Sequence, residues 1–317
     1  MKKVTKVRAL GGIGNQLFVL FFGLVVSIQL KTDLIIDDKL VMFGSNKTRK
    51  LEISKIKILG TSVEFKENWA AGLFLVKPNR LIRRLLWAAF NSNKNLVREE
   101  SIIDPNFKFS PDRTFFGYYQ DWFYADLFNE LNSGCKFDLT SASSKYTQLK
   151  NQIEYVKPIC VHVRLGDYID FPEIYKILPE YYFIESINHL KSDESSKVWI
   201  FTENSEQLKK YYPNLVDLSD KILDVNSGIS DIESFSLLSN SRKLIASNST
   251  FSMWAAWFVE KNSFDAVVPL QLGIKGASTN LIDERWDRYD IENRVIKPRF
   301  VSNGTYLARK REFLGKF

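Results

Sequence analysis

The chain has 317 residues, 45% hydrophobic, 26% charged and 14% aromatic, which allows two domains with full cores and is ordinary for a soluble globular protein apart from the high aromatic share. A formal net charge of +7 and a pI near 9.1 favour anionic partners: nucleotides, nucleic acid or an acidic membrane surface. Nucleic acid is set aside, because basic residues are dispersed apart from Arg80-Arg83-Arg84 and Arg309-Lys310-Arg311, and no homeodomain, zinc-finger or RNP-type signature accompanies them.

Val4 to Leu10 predicts a short strand, followed by the tight turn Gly11-Gly12-Ile13-Gly14 and a helix over Asn15 to Leu30. Strand, glycine loop and helix N-terminus together aim backbone N–H groups at an anion. Gly12 and Gly14 match the first two glycines of the dinucleotide fingerprint, but Leu17 stands at the third, so its usual close helix–strand packing is not expected. Asn15 and Gln16, at the mouth of the loop, either read sugar or phosphate oxygens or cap the helix. The opening Met1-Lys2-Lys3 resembles the start of a signal peptide, yet Gly11-Gly12 interrupts it and no small-residue cleavage site follows. Leu17 to Leu30 would span only about 21 Å as a helix, short of a hydrocarbon core of about 30 Å, and reads as a core helix. Cys135 and Cys160 form neither a disulfide framework nor a zinc pattern, and a cytoplasmic protein is expected.

Leu34-Ile35-Ile36 and Ile56 to Leu59 read as strands, and Leu73 to Phe90 as a mixed apolar and basic helix. Its arginines suit either a solvated face or peripheral association with the inner face of the cytoplasmic membrane. The segment Phe115 to Phe123 is dense in aromatics, with Gly117, Gln120 and Asp121 among them. Aromatic faces with a few placed polar groups hold sugars, but a packed core fits equally, so Tyr118, Gln120 and Trp122 are candidate acceptor contacts. Asn132 to Lys150 is polar and Ser-rich and is taken as the linker, dividing the chain into domains 1–150 and 151–317.

The second half opens on Val161 to Tyr168, V-H-V-R-L-G-D-Y. Ile159-Cys160-Val161 with Val163 predicts the end of a buried strand, with His162 and Arg164 on one face and a turn at Gly166-Asp167. Ligands of open α/β sheets bind beyond the carboxyl ends of the strands, and the planar fork of arginine suits phosphate. A solvated Arg–Asp pair at a strand end is the alternative reading. Tyr181 to Leu190 predicts a helix carrying His189 on its surface. Val198 to Phe201 and Leu244 to Ala246 predict strands, and Phe251 to Val259 a buried helix crowned by Ser247-Asn248-Ser249-Thr250, where a diphosphate would fit. Val267-Val268-Pro269 is expected to close the sheet, and Ile282 to Phe317 to form a helical, basic tail.

Four segments, L-G-G-I-G-N-Q-L-F at 10–18, G-Y-Y-Q-D-W-F at 117–123, H-V-R-L-G-D-Y at 162–168 and S-N-S-T-F-S-M-W-A-A-W at 247–257, resemble glycosyltransferase family 11, the α-1,2-fucosyltransferases, in order and spacing as well as content. The resemblance implies a GT-B-like α/β fold of two facing Rossmann-like domains, with the active site in the cleft between them. It implies inverting, metal-independent transfer of L-fucose from GDP-fucose to a galactoside hydroxyl, in surface polysaccharide or O-antigen synthesis. GDP-fucose is then the donor substrate and no cofactor is needed. The implied partners are the nucleotide sugar and a glycan acceptor, with domain 1–150 on the acceptor side and 151–317 binding the donor.

In related enzymes the motif arginine contacts the donor phosphate and the neighbouring histidine helps hold the nucleotide, roles that pass to Arg164 and His162. Gly12, Gly14, Asn15, Gln16, Asn248, Ser249, Thr250 and Ser252 complete the implied donor set. Asp167 is the candidate catalytic base, its alternative being a carboxylate that caps its own turn or orients Arg164. No D-x-D triplet occurs, the nearest sequence being Asp231-Ile232-Glu233, so Arg164 and the Ser247–Ser252 cap are expected to supply the positive potential of a metal. The chain departs from the family at Leu165, where a second arginine is common, at Thr202-Glu203-Asn204, where an S-D-D-like triplet is common, and at Met253, where a second tryptophan is common. Another nucleotide-sugar donor, a catalytically silent glycan or nucleotide binder and a basic RNA-binding protein are the competing readings.

Overall fold

A computed structural model describes residues 3–37, 51–58, 61–66, 95–132, 134–271, 281–300 and 304–317; the helix expected over 73–90, with its arginines, lies outside them. The chain divides into two units, Met1–Asp138 with Asn303–Phe317, and Leu139–Ser302. Each is Rossmann-like, a largely parallel sheet accompanied by helices, and in this the expected α/β, GT-B-like class holds.

The first unit is built on β1 (Val4–Arg8), β2 (Asp33–Asp37), β4 (Val63–Lys66), β5 (Leu96–Arg98) and β6 (Thr114–Phe116), in the order β4-β2-β1-β6-β5 and parallel throughout. Two short strands, β3 (Ile56–Ile58) and β7 (Phe137–Leu139), belong to neither main sheet. The helix Ile13–Leu30 is 78% buried, as a core helix should be. It begins two residues before the expected start, with Gly12 as its cap. A methyl on Gly23 would meet Leu34 at 2.9 Å and Val7 at 3.0 Å, so it is Gly23 that lets the helix lie close on β1 and β2. The close packing not expected at Leu17 is thus provided two turns later.

The aromatic segment joins this core. Trp122 is 2% exposed and packs on Phe18 at 4.8 Å, and Tyr119 stacks on Phe22 at 3.7 Å. The C-terminal helix Gly304–Leu314 belongs to the first unit rather than the second, because Phe313 and Phe317 pack on Phe109 at 5.3 and 4.5 Å. Two of its basic residues are paired: Arg309 with Asp121, Lys310 with Glu130.

The second unit is built on β8 (Ile159–Val163), β9 (Val198–Thr202), β10 (Lys221–Leu223), β11 (Lys243–Ile245), β12 (Asp265–Pro269), β13 (Asp287–Asp290) and β14 (Val295–Lys297), in the order β10-β9-β8-β11-β12-β13-β14. All pairs are parallel except β13 with β14. Three expectations are corrected. The polar stretch taken as a linker contains the helix Ser144–Val156, capped by the Ser143 hydroxyl, which accepts from the Tyr146 N–H; Tyr146, Leu149 and Ile153 are its buried stripe. Pro269 does not close the sheet, since β12 pairs with β13 through Pro269 and Tyr289. Residues 287–297, expected in a helical tail, contain the last two strands of the sheet.

The strand order also fixes where a ligand belongs. From β8 the chain proceeds through β9 and β10 on one side and returns to β11 and β12 on the other, so the topological switch point lies between β8 and β11. In the first unit the equivalent point lies between β1 and β6.

Candidate active site

β8 carries the octapeptide to the switch point. All five of its residues are buried, as both faces of a central parallel strand require. His162 is 7% exposed, and its Nδ1 meets the hydroxyls of Ser247 at 3.0 Å and Ser252 at 3.1 Å. Ser252 Oγ in turn accepts the Ser247 N–H at 2.8 Å. Burial, reinforced by Arg164, drives the imidazole pKa down to about 3, so His162 is neutral at physiological pH. With Nδ1 engaged, Nε2 is what the ring offers a ligand.

Arg164 is clamped rather than free. Nη2 donates to Asp167 at 2.6 Å and Nη1 to Glu203, whose other oxygen accepts the Leu165 N–H at 3.3 Å. Burial opposes the guanidinium charge, but Glu203 and Asp167 more than offset it and hold the pKa above the ordinary arginine value. Two of the five N–H donors are thereby engaged and three remain, with the fork fixed in one plane. Asp167 therefore stands as the partner that orients Arg164, the alternative open to it in the sequence, and not as a free base. It lies in a short helix, Gly166–Asp170, in place of the expected turn. Glu203 was visible only as a departure from the family triplet. The β8–β9 register pairs Val163 with Thr202, so the next residues, Arg164 and Glu203, are brought side by side.

The hydroxyl crown faces inward. Ser252 and Asn248 are 0% and 1% exposed. The Asn248 amide donates to the Lys176 carbonyl at 2.8 Å, and its own carbonyl accepts from the Tyr168 hydroxyl at 3.0 Å. Ser249 caps the helix Thr250–Lys261 by accepting from the Ser252 N–H. These side chains position His162 and the helix start, and Thr250 is the partly exposed member of the group. Beside them an open cleft runs along the carboxyl ends of β8, β9 and β10, with His162, Arg164, Glu203, Asp224, Asp231 and Phe251 in its wall.

In the first unit, Gln120 donates to the Asn15 side chain at 2.9 Å, joining the glycine loop to the aromatic segment at the switch point. Gln16 is fully buried, with its amide nitrogen on the Gly11 carbonyl at 3.0 Å and its oxygen accepting from Ile53 at 3.3 Å, so it braces the loop from inside. Tyr118 is 47% exposed and open to a ligand, whereas Trp122 is core. Gly11 (φ +66°), absent from the expected set, is the glycine in the left-handed region; Gly12 has φ −83° and Gly14 lies inside the helix. Glu99 was likewise missed: it holds the loop by accepting from the N–H groups of Tyr118 and Tyr119 at 2.8 and 3.0 Å.

The family model described as Glycosyl transferase family 11 matches residues 78–271. The chain belongs to glycosyltransferase family 11. Among curated relatives of this family 11 chain, an alpha-1,2-colitosyltransferase of Escherichia coli is 25% identical over 266 residues, covering 80% of this chain and 87% of that protein. The O-antigen biosynthesis glycosyltransferase WbnK of Escherichia coli is 26% identical over 293 residues, covering 80% and 89%. Among solved structures, the fucosyltransferase NodZ from Bradyrhizobium is 15% identical, with a TM-score of 0.49 over 82% of this chain and 93% of that one.

Proposed function

We propose that this family 11 glycosyltransferase transfers L-fucose from GDP-fucose to a galactoside hydroxyl, forming an α-1,2 linkage with inversion and without a metal, in the assembly of a surface polysaccharide. The observation that carries the reading is the pairing, at the switch point of the second unit, of a neutral buried imidazole with a guanidinium held in one plane by two carboxylates. In the transfer, the acceptor oxygen bonds to the anomeric carbon while the bond from that carbon to the β-phosphate oxygen breaks. The electron pair leaves with GDP, and the proton of the acceptor hydroxyl passes to solvent water. Negative charge grows on the β-phosphate, and a preorganised fork with three N–H donors to spare binds that charge better than it binds the intact donor. The start of the helix Thr250–Lys261 adds its dipole. Tyr118, exposed beside the Asn15–Gln120 pair, is assigned to the acceptor.

The α-1,2-colitosyltransferase relative supports the linkage and keeps a second donor sugar in view. Incubating the protein with GDP-fucose and other nucleotide sugars against a panel of galactosides, with and without excess EDTA, and following products by mass spectrometry tests each part. Fucosylated product formed in EDTA is the expected result. Activity that requires Mn²⁺ or Mg²⁺, or transfer from a different nucleotide sugar alone, overturns the corresponding part.

A further inference from the structure

The first unit carries a strand-end carboxylate of its own. β5 and β6 run parallel with Arg98 opposite Phe116, so the next residues, Glu99 and Gly117, leave the sheet side by side. Gly117 has room for no side chain, since a Cβ there would lie 2.5 Å from both the Cβ and Oε2 of Glu99. The carboxylate therefore sits directly against the turn and accepts two successive amides, the Tyr118 N–H on Oε2 at 2.8 Å and the Tyr119 N–H on Oε1 at 3.0 Å. Hydrogen bonds to an ionised acceptor are the stronger kind, and a grip through both oxygens fixes direction as well as distance. Glu99 is itself held in place: the short helix it opens, Glu99–Ile102, ends on a carbonyl that accepts from the Lys316 ammonium at 2.8 Å.

What this grip maintains is an unfavourable backbone. Tyr119 has φ +49°, in the left-handed region that a bulky side chain rarely adopts. Such a conformation persists only where its surroundings over-determine it, and it collects where geometry serves function. Tyr119 is fixed from two sides, by Glu99 at its amide and by the ring of Phe22 stacked on its own at 3.7 Å. The next residue is fixed as well, through Gln120 on the Asn15 side chain at 2.9 Å. Tyr118 differs from both. Its ring is 47% exposed, and among the described residues the one hydrogen bond it makes is that from its N–H to Glu99. The direction of the exposed ring is therefore set through its backbone, and the backbone is set by Glu99.

Resting on the assignment of Tyr118 to the acceptor, we infer that Glu99 is a positioning residue for acceptor binding: by gripping both amides it keeps Tyr119 in the left-handed conformation and holds the Tyr118 ring where the galactoside meets it. Initial rates of the full chain with GDP-fucose against lactose and methyl β-galactoside, for wild type, Tyr118→Ala, Glu99→Gln and the double variant, test this. Glu99→Gln keeps the size of the side chain and one acceptor oxygen but sets an amide NH₂ against the other N–H, so circular dichroism should show it folded. Acceptor KM should rise roughly 3–10-fold in each single variant, the loss expected for one aromatic contact, while the KM for GDP-fucose does not move. The double variant should match Tyr118→Ala alone, because with the ring gone there is nothing left for Glu99 to direct; a merely structural role would make the two effects add. Additive effects, an unchanged acceptor KM in Glu99→Gln, or loss of its fold overturns this inference and leaves Tyr118 as an acceptor contact. An unchanged acceptor KM in Tyr118→Ala overturns both assignments, and transfer by wild type to neither sugar overturns the galactoside reading with them.

Discussion

His162 makes the stability of the second unit depend on pH in a way that can be worked out in advance. Burial, with Arg164 adding to it, lowers the imidazole pKa from 6.5 to about 3. Above pH 6.5 the ring is neutral in folded and unfolded chains alike and contributes no pH dependence. Below pH 6.5 the unfolded chain takes up a proton that the folded one refuses until near pH 3, so stability falls as pH falls across that window. From pH 7 to 5.5 the loss is about 1 kcal/mol, or about 2–4 °C in melting temperature for a unit the size of Leu139–Ser302. Differential scanning calorimetry at both pH values, on wild type and His162→Asn, isolates the effect. All groups other than residue 162 are the same in both proteins and cancel in the difference, whereas the asparagine carries no proton to refuse. His162→Asn should melt lower at pH 7, because it fills the space against Ser247 and Ser252 less well, yet lose about 2–4 °C less on acidification. Equal losses in the two proteins would refute the buried, neutral imidazole.

Arg164→Lys keeps the charge but loses the planar fork, and kcat with GDP-fucose should fall roughly 10²–10³-fold. Because the ion pairs with Asp167 and Glu203 are partly exposed, they are worth about 1 kcal/mol or less each, so a melting curve that collapses along with activity would return the octapeptide to a structural salt bridge. Gly11→Ala places a methyl 2.5 Å from the Asn15 amide at φ +66° and should cost the first unit roughly 1–3 kcal/mol in urea unfolding; Gly14→Ala, at a helical position, carries no such positive-φ cost, and equal losses would count against the assignment to Gly11. Trp122→Ala empties a core site and should cost about 3–5 kcal/mol, whereas Tyr118→Ala should stay within about 0.5 kcal/mol of wild type and raise acceptor KM; the reverse pattern would exchange their roles.

What could be read in advance follows from burial. The inner strands of both sheets are covered on both faces, so β2, β8, β9, β11 and β12 appear in the sequence as unbroken apolar runs. β14 is the edge strand and β13 its neighbour, and Asp287-Arg288-Tyr289-Asp290 buries Tyr289 and Asp290 among polar neighbours, which leaves no run to detect. The Ser-rich stretch before Ser144 looked like a linker because a helix cap and a flexible segment use the same residues. Only the spacing of Tyr146, Leu149 and Ile153 distinguishes them. Which glycine of Gly11-Gly12-Ile13-Gly14 takes positive φ is not written in residues that all lack a Cβ.

The site was legible as a set of residue types and illegible as a set of partnerships. His162 and Ser247 are 85 positions apart, Asn15 and Gln120 are 105 apart, and Arg164 and Glu203 are 39 apart. Each pair meets because strand order and register, dictated by apolar residues elsewhere, bring two strand ends together. A buried strand can change to polar residues only where it leaves the sheet, so polar groups collect at the carboxyl ends, and at a switch point two such ends adjoin with no helix covering them. The same constraint decides which polar groups face a ligand. A hydroxyl directly behind the strand end, such as Ser252, satisfies its neighbour in the interior, and a group just past the strand end, such as Arg164, keeps donors for whatever enters the cleft.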